Sequence, residues 1–221
     1  MKISLFIFFL GLFMSGFAQI DRDQLSLEIS KAEAANLEKL KPYLWRRETV
    51  VTVDGQVKTN ALSEMNFDET GKLSVKNLEA KSTGKDKRGL RGRIQDNAKE
   101  DAMEYVEKAL QLAISYTYLS KGQLIDFFSK AEITESNGLI QAVAKDVLVK
   151  GDVVTFGIDP KTKLFVHKTF SSKLGEDDIS ADIEYGRLTG GESHATKTVL
   201  NLPAKKAVIN SVNTDYYTKV H

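Results

Sequence analysis

The C-terminal part of the chain constrains its fold more than any other stretch. From Leu139 to Tyr217, β-branched and aromatic runs are broken by the short turn-forming sequences "KGD", "DPKTK", "LGEDD", "TGGES" and "LPAKK". No helical segment intervenes, and parallel neighbours would need crossovers of about a dozen residues, so these runs must form an antiparallel meander. We place strands near 139–149, 152–158, 163–173, 178–188, 194–202 and 206–217. In the fourth, Ile179, Ala181, Ile183 and Tyr185 alternate with Ser180, Asp182 and Glu184, which predicts one buried and one wet face. In "KLFVHKTF" the same alternation groups Leu164, Val166 and Phe170 against Phe165, His167 and Thr169.

The first half adds a second group of strands. "DRDQ" offers Asp21 or Asp23 as an N-cap for a helix through "SLEISKAEAANLEKLK", and Pro42 stops that helix near Leu40 or Lys41. From Leu44 the period changes to that of strands, near 45–53, 56–67 and 72–81, the first two joined by Asp54-Gly55, a strong hairpin signal. "STGKDKRGLRGRIQDN", residues 82–97, lacks apolar periodicity and predicts a basic loop. A helical insert follows at 98–130. Asp96 or Asn97 caps a helix through about Leu119, with Met103, Val106, Leu110, Ala113 and Ile114 at helical spacing. Ser120-x-x-Gln123 has the form of a capping box and opens a second helix carrying Leu124, Ile125, Phe127 and Phe128. About nine strands in two groups around a helical pair imply an α+β fold. Its form would be a strongly curved antiparallel β-sheet, an incomplete barrel, with helices packed on its concave side.

The N-terminal "MKISLFIFFLGLFMSGFAQ" has one lysine, an apolar run from Ile3 to Met14, and Gly16 and Ala18 at signal-peptidase spacing. We therefore expect residues 1–18 to be a signal peptide, 19–221 to be a single domain, and the protein to be periplasmic or secreted. Export commonly brings disulfides, yet the chain has no cysteine, so stability must come from a packed core. Formal charge is +1 with Lys2 included. Global charge thus argues against a nucleic-acid binder, and an electrostatic partner must be met by a local patch.

Several elements in order resemble the periplasmic lipoprotein-carrier superfamily of LolA/LolB type. They are the apolar leader, an N-terminal helix, a three-strand meander opening "YLWRRETVVTVDGQV", a basic loop, a helical pair ending "LIDFF" and a terminal meander. The resemblance spans nearly all of the chain after residue 18, through element order and not through a diagnostic motif. It implies an incomplete barrel covered by helices, with a cavity that holds acyl chains. The family's arginine on an early strand, which closes the helical lid, is loosely matched by Arg46 or Arg47.

The residues argue against catalysis. A zinc site needs three or four converging ligands, and with no cysteine in the chain His167, His194 and His221 show no helical pairing such as H-E-x-x-H, so no metal or other cofactor is expected. Ser193 and His194 are neighbours on a strand and point to opposite faces. "GEDD" at 175–178 sits at a hairpin tip, where water keeps carboxylates ordinarily acidic. "GKDKRGLRGR" is not a phosphate-binding loop.

Two candidate groups remain. Trp45, Tyr105, Leu112, Tyr116, Phe127 and Phe128 would line or lid a cavity, or else fill the core between helices and sheet. Lys85, Lys87, Arg88, Arg91 and Arg93 would form a patch for anionic lipid headgroups or an envelope protein, or else a solvated connection. The expected function is non-catalytic binding of an acyl chain or other apolar ligand, in cell-envelope lipid or lipoprotein trafficking. The alternative is a structural or protein-interaction module with a solid core.

Overall fold

The computed structural model describes residues 21–82 and 90–219, with the backbone alone between 80 and 99. The expected signal peptide and Lys85, Lys87 and Arg88 lie outside the described residues. Helix α1 (Arg22–Leu40) precedes β1 (Tyr43–Val53), β2 (Gln56–Phe67) and β3 (Leu73–Ser82). Helices α2 (Leu90–Thr117) and α3 (Lys121–Lys130) follow. The remaining strands are β4 (Glu132–Ser136), β5 (Leu139–Lys145), β6 (Val153–Ile158), β7 (Phe165–Leu174), β8 (Asp177–Arg187), β9 (Ser193–Leu202) and β10 (Ala207–Thr218).

Local chemistry sets most of these boundaries. Asp21 caps α1, its Oδ1 accepting from the N–H groups of Asp23 and Gln24 at 3.1 Å. Asp54 and Gly55 both take positive φ, 49° and 74°, as a two-residue hairpin turn matched to strand twist requires. Ser120 and Gln123 form the reciprocal capping box that opens α3.

All ten strands form one antiparallel sheet in the order β3-β2-β1-β10-β9-β8-β7-β6-β5-β4. The terminal meander closes on the first through β1 and β10, which pair from Tyr43↔Thr218 to Val53↔Ala207. The sheet itself is not closed; β3 and β4 are its edges. The architecture is an incomplete barrel with three helices packed on its apolar face.

One expectation about elements is refined and two are corrected. The described residues form ten strands, close to the nine or so expected; the strand not foreseen is the short edge strand β4, which has only Ile133 half-buried and the rest exposed, so no alternation marks it. Helix α2 begins at Leu90, which turns residues 90–97 of the expected loop, Arg91 and Arg93 included, into helix. Arg, Gln and Leu are good helix formers, and one interior glycine, Gly92, costs only about 1 kcal/mol. The expected strand over 139–149 stops at Lys145. Beyond it, the buried Asp152 carboxylate gathers the N–H groups of Val147, Leu148 and Val149 at 2.7–2.9 Å and folds the chain into a turn.

The main core lies between the helices and the inner face of β5–β10. Leu25 and Ile29 of α1, Ala109, Ala113 and Tyr116 of α2, and Leu124, Phe127 and Phe128 of α3 pack on Phe156, Phe170, Ile183 and Leu200. Phe127 and Phe156 stack at 4.0 Å, and Tyr116 and Phe170 at 4.1 Å. The Tyr116 hydroxyl donates to Asp152 Oδ2 at 2.6 Å and so ties α2 to the 146–152 turn. Burial works to raise the pKa of Asp152, but the Tyr116 hydroxyl and the three backbone donors outweigh it and hold the carboxyl below its ordinary value.

Candidate functional site

A second, smaller apolar cluster consists of Leu40, Trp45, Met65 and Phe67, with Leu37, Leu73, Tyr118, Leu188 and Tyr216 against it. Between the two clusters lies a cavity of about 360 Å3. Its walls come from Ser30 to Leu40 of α1, Trp45 of β1, Phe67 of β2, the Thr117–Lys121 junction of α2 and α3, Phe165 and Lys168 of β7, Tyr185 of β8, Ser193 to Ala195 of β9, and Tyr216 of β10. The volume falls in the lower part of the range of small-molecule pockets.

One wall is aromatic. Trp45 stacks on Tyr216 at 5.4 Å and 11°, lies 5.4 Å from Phe67, and Phe67 meets Tyr118 edge-on at 5.3 Å. Another part of the lining is polar and tightly tied. Asn36 of α1 exchanges two hydrogen bonds with the Ser193 backbone, donating to its carbonyl at 2.8 Å and accepting from its N–H at 2.7 Å. Ser193 Oγ donates to the Phe165 carbonyl at 3.1 Å, and the Phe165 N–H donates to Glu33 Oε1 at 3.2 Å. These bonds fix α1, β7 and β9 relative to one another, so Glu33 is presented to the cavity by a rigid frame.

Lys168 is the least expected member. It is only 3% exposed, and its Nζ donates to the carbonyl of Thr117, the last residue of α2, at 2.7 Å. A cation there satisfies one of the orphan carbonyls at the helix end and complements its dipole. The ammonium also lies 3.8 Å from the centre of the Phe165 ring, with the Phe156 and Tyr185 rings at 5.1 and 5.3 Å, an aromatic cage for a cation. Burial nevertheless pushes the Lys168 pKa down to about 8, opposed by the charge of Glu33. Burial likewise pushes the Glu33 carboxyl up, against the pull of Lys168, the Phe165 N–H and Arg187. Each group is thus drawn towards neutrality by its surroundings and towards charge by the other.

The walls carry unused hydrogen-bonding capacity. Among the described residues, Ser30 Oγ, Trp45 Nε1 and His194 Nδ1 are buried polar atoms with no partner, and all three residues line the cavity. A buried polar group without a partner costs about 1–3 kcal/mol, so these three atoms give the lining hydrogen-bonding capacity that a polar group of a ligand can meet. Burial also lowers the pKa of His194.

The sequence-derived candidates divide. Trp45 lines the cavity. Tyr116, Phe127 and Phe128 are in the main core, with Tyr105 and Leu112 half-buried against it, and none of the five is among the lining residues. Of Arg91 and Arg93 only the backbone is described, within α2. Arg46 is exposed near Asp215, whereas Arg47 turns inward, its Nε donating to Asn213 Oδ1 at 2.9 Å; burial pushes the Tyr118 hydroxyl up in pKa, and the Arg47 charge pulls against it. His167 sits half-buried on the outer face, 2.9 Å from Asp182 Oδ1. The expected grouping of Phe165 with His167 is corrected: a bulge at Val166 turns Phe165 inward with Lys168 and Phe170. Glu33, Asn36 and Lys168 were not singled out from the sequence, and Ser193 was considered only as a nucleophile beside His194. The one available signal was that Lys168 shares its alternation with Phe170.

Among the described residues no helix is long and apolar enough to cross a membrane, and no cluster of acidic residues and histidines could hold a metal ion. No protein-family model matches the chain, and no curated protein matches it. Its fold is similar to that of three solved structures. A DUF1329 family protein from Desulfovibrio piger is 8% identical with a TM-score of 0.41, the match covering 90% of this chain and 92% of that one. A domain named for outer membrane lipoprotein sorting, from Vibrio parahaemolyticus, is 10% identical with a TM-score of 0.43, covering 88% and 92%. A LolA superfamily protein from Nitrosomonas europaea is 8% identical with a TM-score of 0.36, covering 85% and 94%.

Proposed function

We propose that the protein binds an acyl chain or other apolar ligand in the cavity between its two apolar clusters, without chemistry of its own. The cavity carries this reading: about 360 Å3 walled by Leu37, Leu40, Trp45, Phe67, Leu119 and Leu124 in a fold whose main core is tightly stacked. An apolar occupant gains roughly 25 cal/mol for each Å2 it removes from water. The element-order resemblance to lipoprotein carriers implies the same ligand class. In this reading residues 1–18 direct export to the periplasm, where the protein takes part in lipid or lipoprotein traffic. Lys85, Lys87, Arg88, Arg91 and Arg93 would meet anionic headgroups there.

The chain supplies its own reporter, since Trp45 is its single tryptophan and lines the cavity. Titration with decan-1-ol is expected to shift Trp45 emission saturably, and native mass spectrometry of protein recovered from its own envelope to show bound lipid. No emission change and no bound lipid would remove the reading.

A second reading rests on β3, an edge strand with Val75 48% and Leu78 41% exposed. Such an edge can take a partner strand. A crosslink from β3 to one envelope protein, with no lipid bound, would favour that function instead.

A further inference from the structure

The cavity's polar wall bears on the ligand's head, a question that rests on the apolar-ligand reading above. Among the lining residues Glu33 is the one carboxylate, set against Lys121 and Lys168. A third cation, Arg47, stands one layer behind: it is held by Asn213, its charge acts on Tyr118, a wall residue, and among the described residues no ion pair joins it to a carboxylate. The first residues of α3, Ser120 and Lys121, also line the space, and a helix N-terminus favours negative charge. The C-terminal end of α2 at Thr117 faces the same space with the opposite sign and is already complemented by Lys168; the formal charges of the wall, two cations to one carboxylate, still favour an anion.

Unused donors agree. Lys168 has three N–H groups and spends one on Thr117. Trp45 Nε1, which can only donate, has no partner in a side chain that is 1% exposed. Ser30 Oγ can donate as well and is likewise unpartnered.

We propose that the ligand is an amphiphile with an acidic head, its carboxylate seated at Lys168 and its apolar tail running against Leu37, Leu40 and Phe67. Glu33 does not block such a head. Burial already draws its carboxyl towards the neutral form, and a neutral Glu33 can donate a hydrogen bond to the incoming carboxylate. A ligand with an amine head would instead seek Glu33 and be repelled by Lys168, Lys121 and Arg47.

The test compares three probes of equal tail length, decanoic acid, decan-1-ol and decylamine, by Trp45 fluorescence and calorimetry at neutral pH. Decanoate is expected to bind roughly tenfold tighter than decanol, the worth of one hydrogen bond to a charged partner, and decylamine weakest. In Lys168→Met the ratio of decanoate to decanol affinity should fall towards one; in Glu33→Gln, which holds the side chain neutral, it should rise. The Glu33→Gln variant and the ranking on the unaltered protein stand even where Lys168→Met does not fold. Equal affinity for decanoate and decanol, or tightest binding of decylamine, overturns the acidic head while leaving an apolar cavity in place. Failure of all three to bind overturns the apolar-ligand reading itself, and the head with it.

Discussion

The two apolar clusters of this protein differ in what they leave unfilled. In the larger, Phe127, Phe128, Phe156 and Phe165 meet ring against ring, and its polar intruder Asp152 has its oxygens occupied by Tyr116 and three backbone donors. In the smaller, Trp45 is as buried as those rings but its indole N–H has no partner, and Phe67 and Leu40 face open space. Complete contact is what makes a core stable; incomplete contact, held open by a rigid frame, is what leaves room for a ligand. Here the frame is the Asn36–Ser193–Phe165–Glu33 chain of hydrogen bonds.

The largest expected effect tests that contrast directly. Phe156→Ala should cost about 3–5 kcal/mol in urea unfolding, since Phe156 is fully buried among three other phenylalanines. Phe67→Ala should cost distinctly less, because the ring already lacks neighbours on its cavity side. Equal costs would mean that the two clusters are packed alike in solution.

Next comes the polar anchor of the large cluster. Asp152→Asn should cost roughly 2 kcal/mol at neutral pH, because charge-assisted bonds to Tyr116 and to the turn become neutral or are lost. The Asp152 carboxyl lies below its ordinary value in the folded state. Its contribution is therefore fully present above about pH 3.9, the unfolded value, and is lost as pH falls through the lower folded one. The gap between the two proteins should close in acid; a gap constant down to pH 2 would show that the charge is not what matters.

The same division explains what was legible in the sequence. Strands, hairpins and caps depend on neighbours in sequence, so Asp21, Asp54-Gly55, Ser120-Gln123 and the turns of the terminal meander could be read in one dimension. The architecture of an open curved sheet with helices on it followed from their order. Features set by distant partners could not be read. The 146–152 turn needs the Asp152 carboxylate, and β4 exists because β5 offers it a ladder, pairing Glu132↔Val143 to Ser136↔Leu139. The site was the least legible. Trp45 lines the cavity, whereas Tyr116, Phe127 and Phe128, aromatic residues of the same kind in sequence, fill the solid core. Glu33 and Lys168 lie far apart in the chain, and a bulge at Val166 hid which face the lysine's neighbours take.

A smaller effect separates the Lys168 charge from its packing. The folded protein holds this group at about pH 8, below the ordinary lysine value of about 10.4 in the unfolded chain. Between these limits the unfolded chain binds the extra proton, so Lys168 makes stability rise with pH. From pH 7.5 to 9.5 the protein should gain on the order of 1–2 kcal/mol relative to Lys168→Met, followed by urea midpoints. The range stops short of tyrosine ionisation, because burial raises Tyr118 and Tyr185 and their contribution has the opposite sign. A flat difference would place Lys168 in a wetter setting than its aromatic cage implies.

The smallest change in stability should bring a complete loss of binding. Ala34 is exposed on α1 and lines the cavity, so a larger side chain there projects into the space without entering either core. Ala34→Phe should shift stability by no more than about 0.5 kcal/mol, as surface substitutions do, while abolishing the change in Trp45 emission on adding decanol. The variant breaks the usual link between damage and function, since filling a void normally helps a fold. Retained decanol binding would mean that the ligand enters elsewhere, and a large loss of stability would mean that the α1 side of the cavity is packed as tightly as the phenylalanine core.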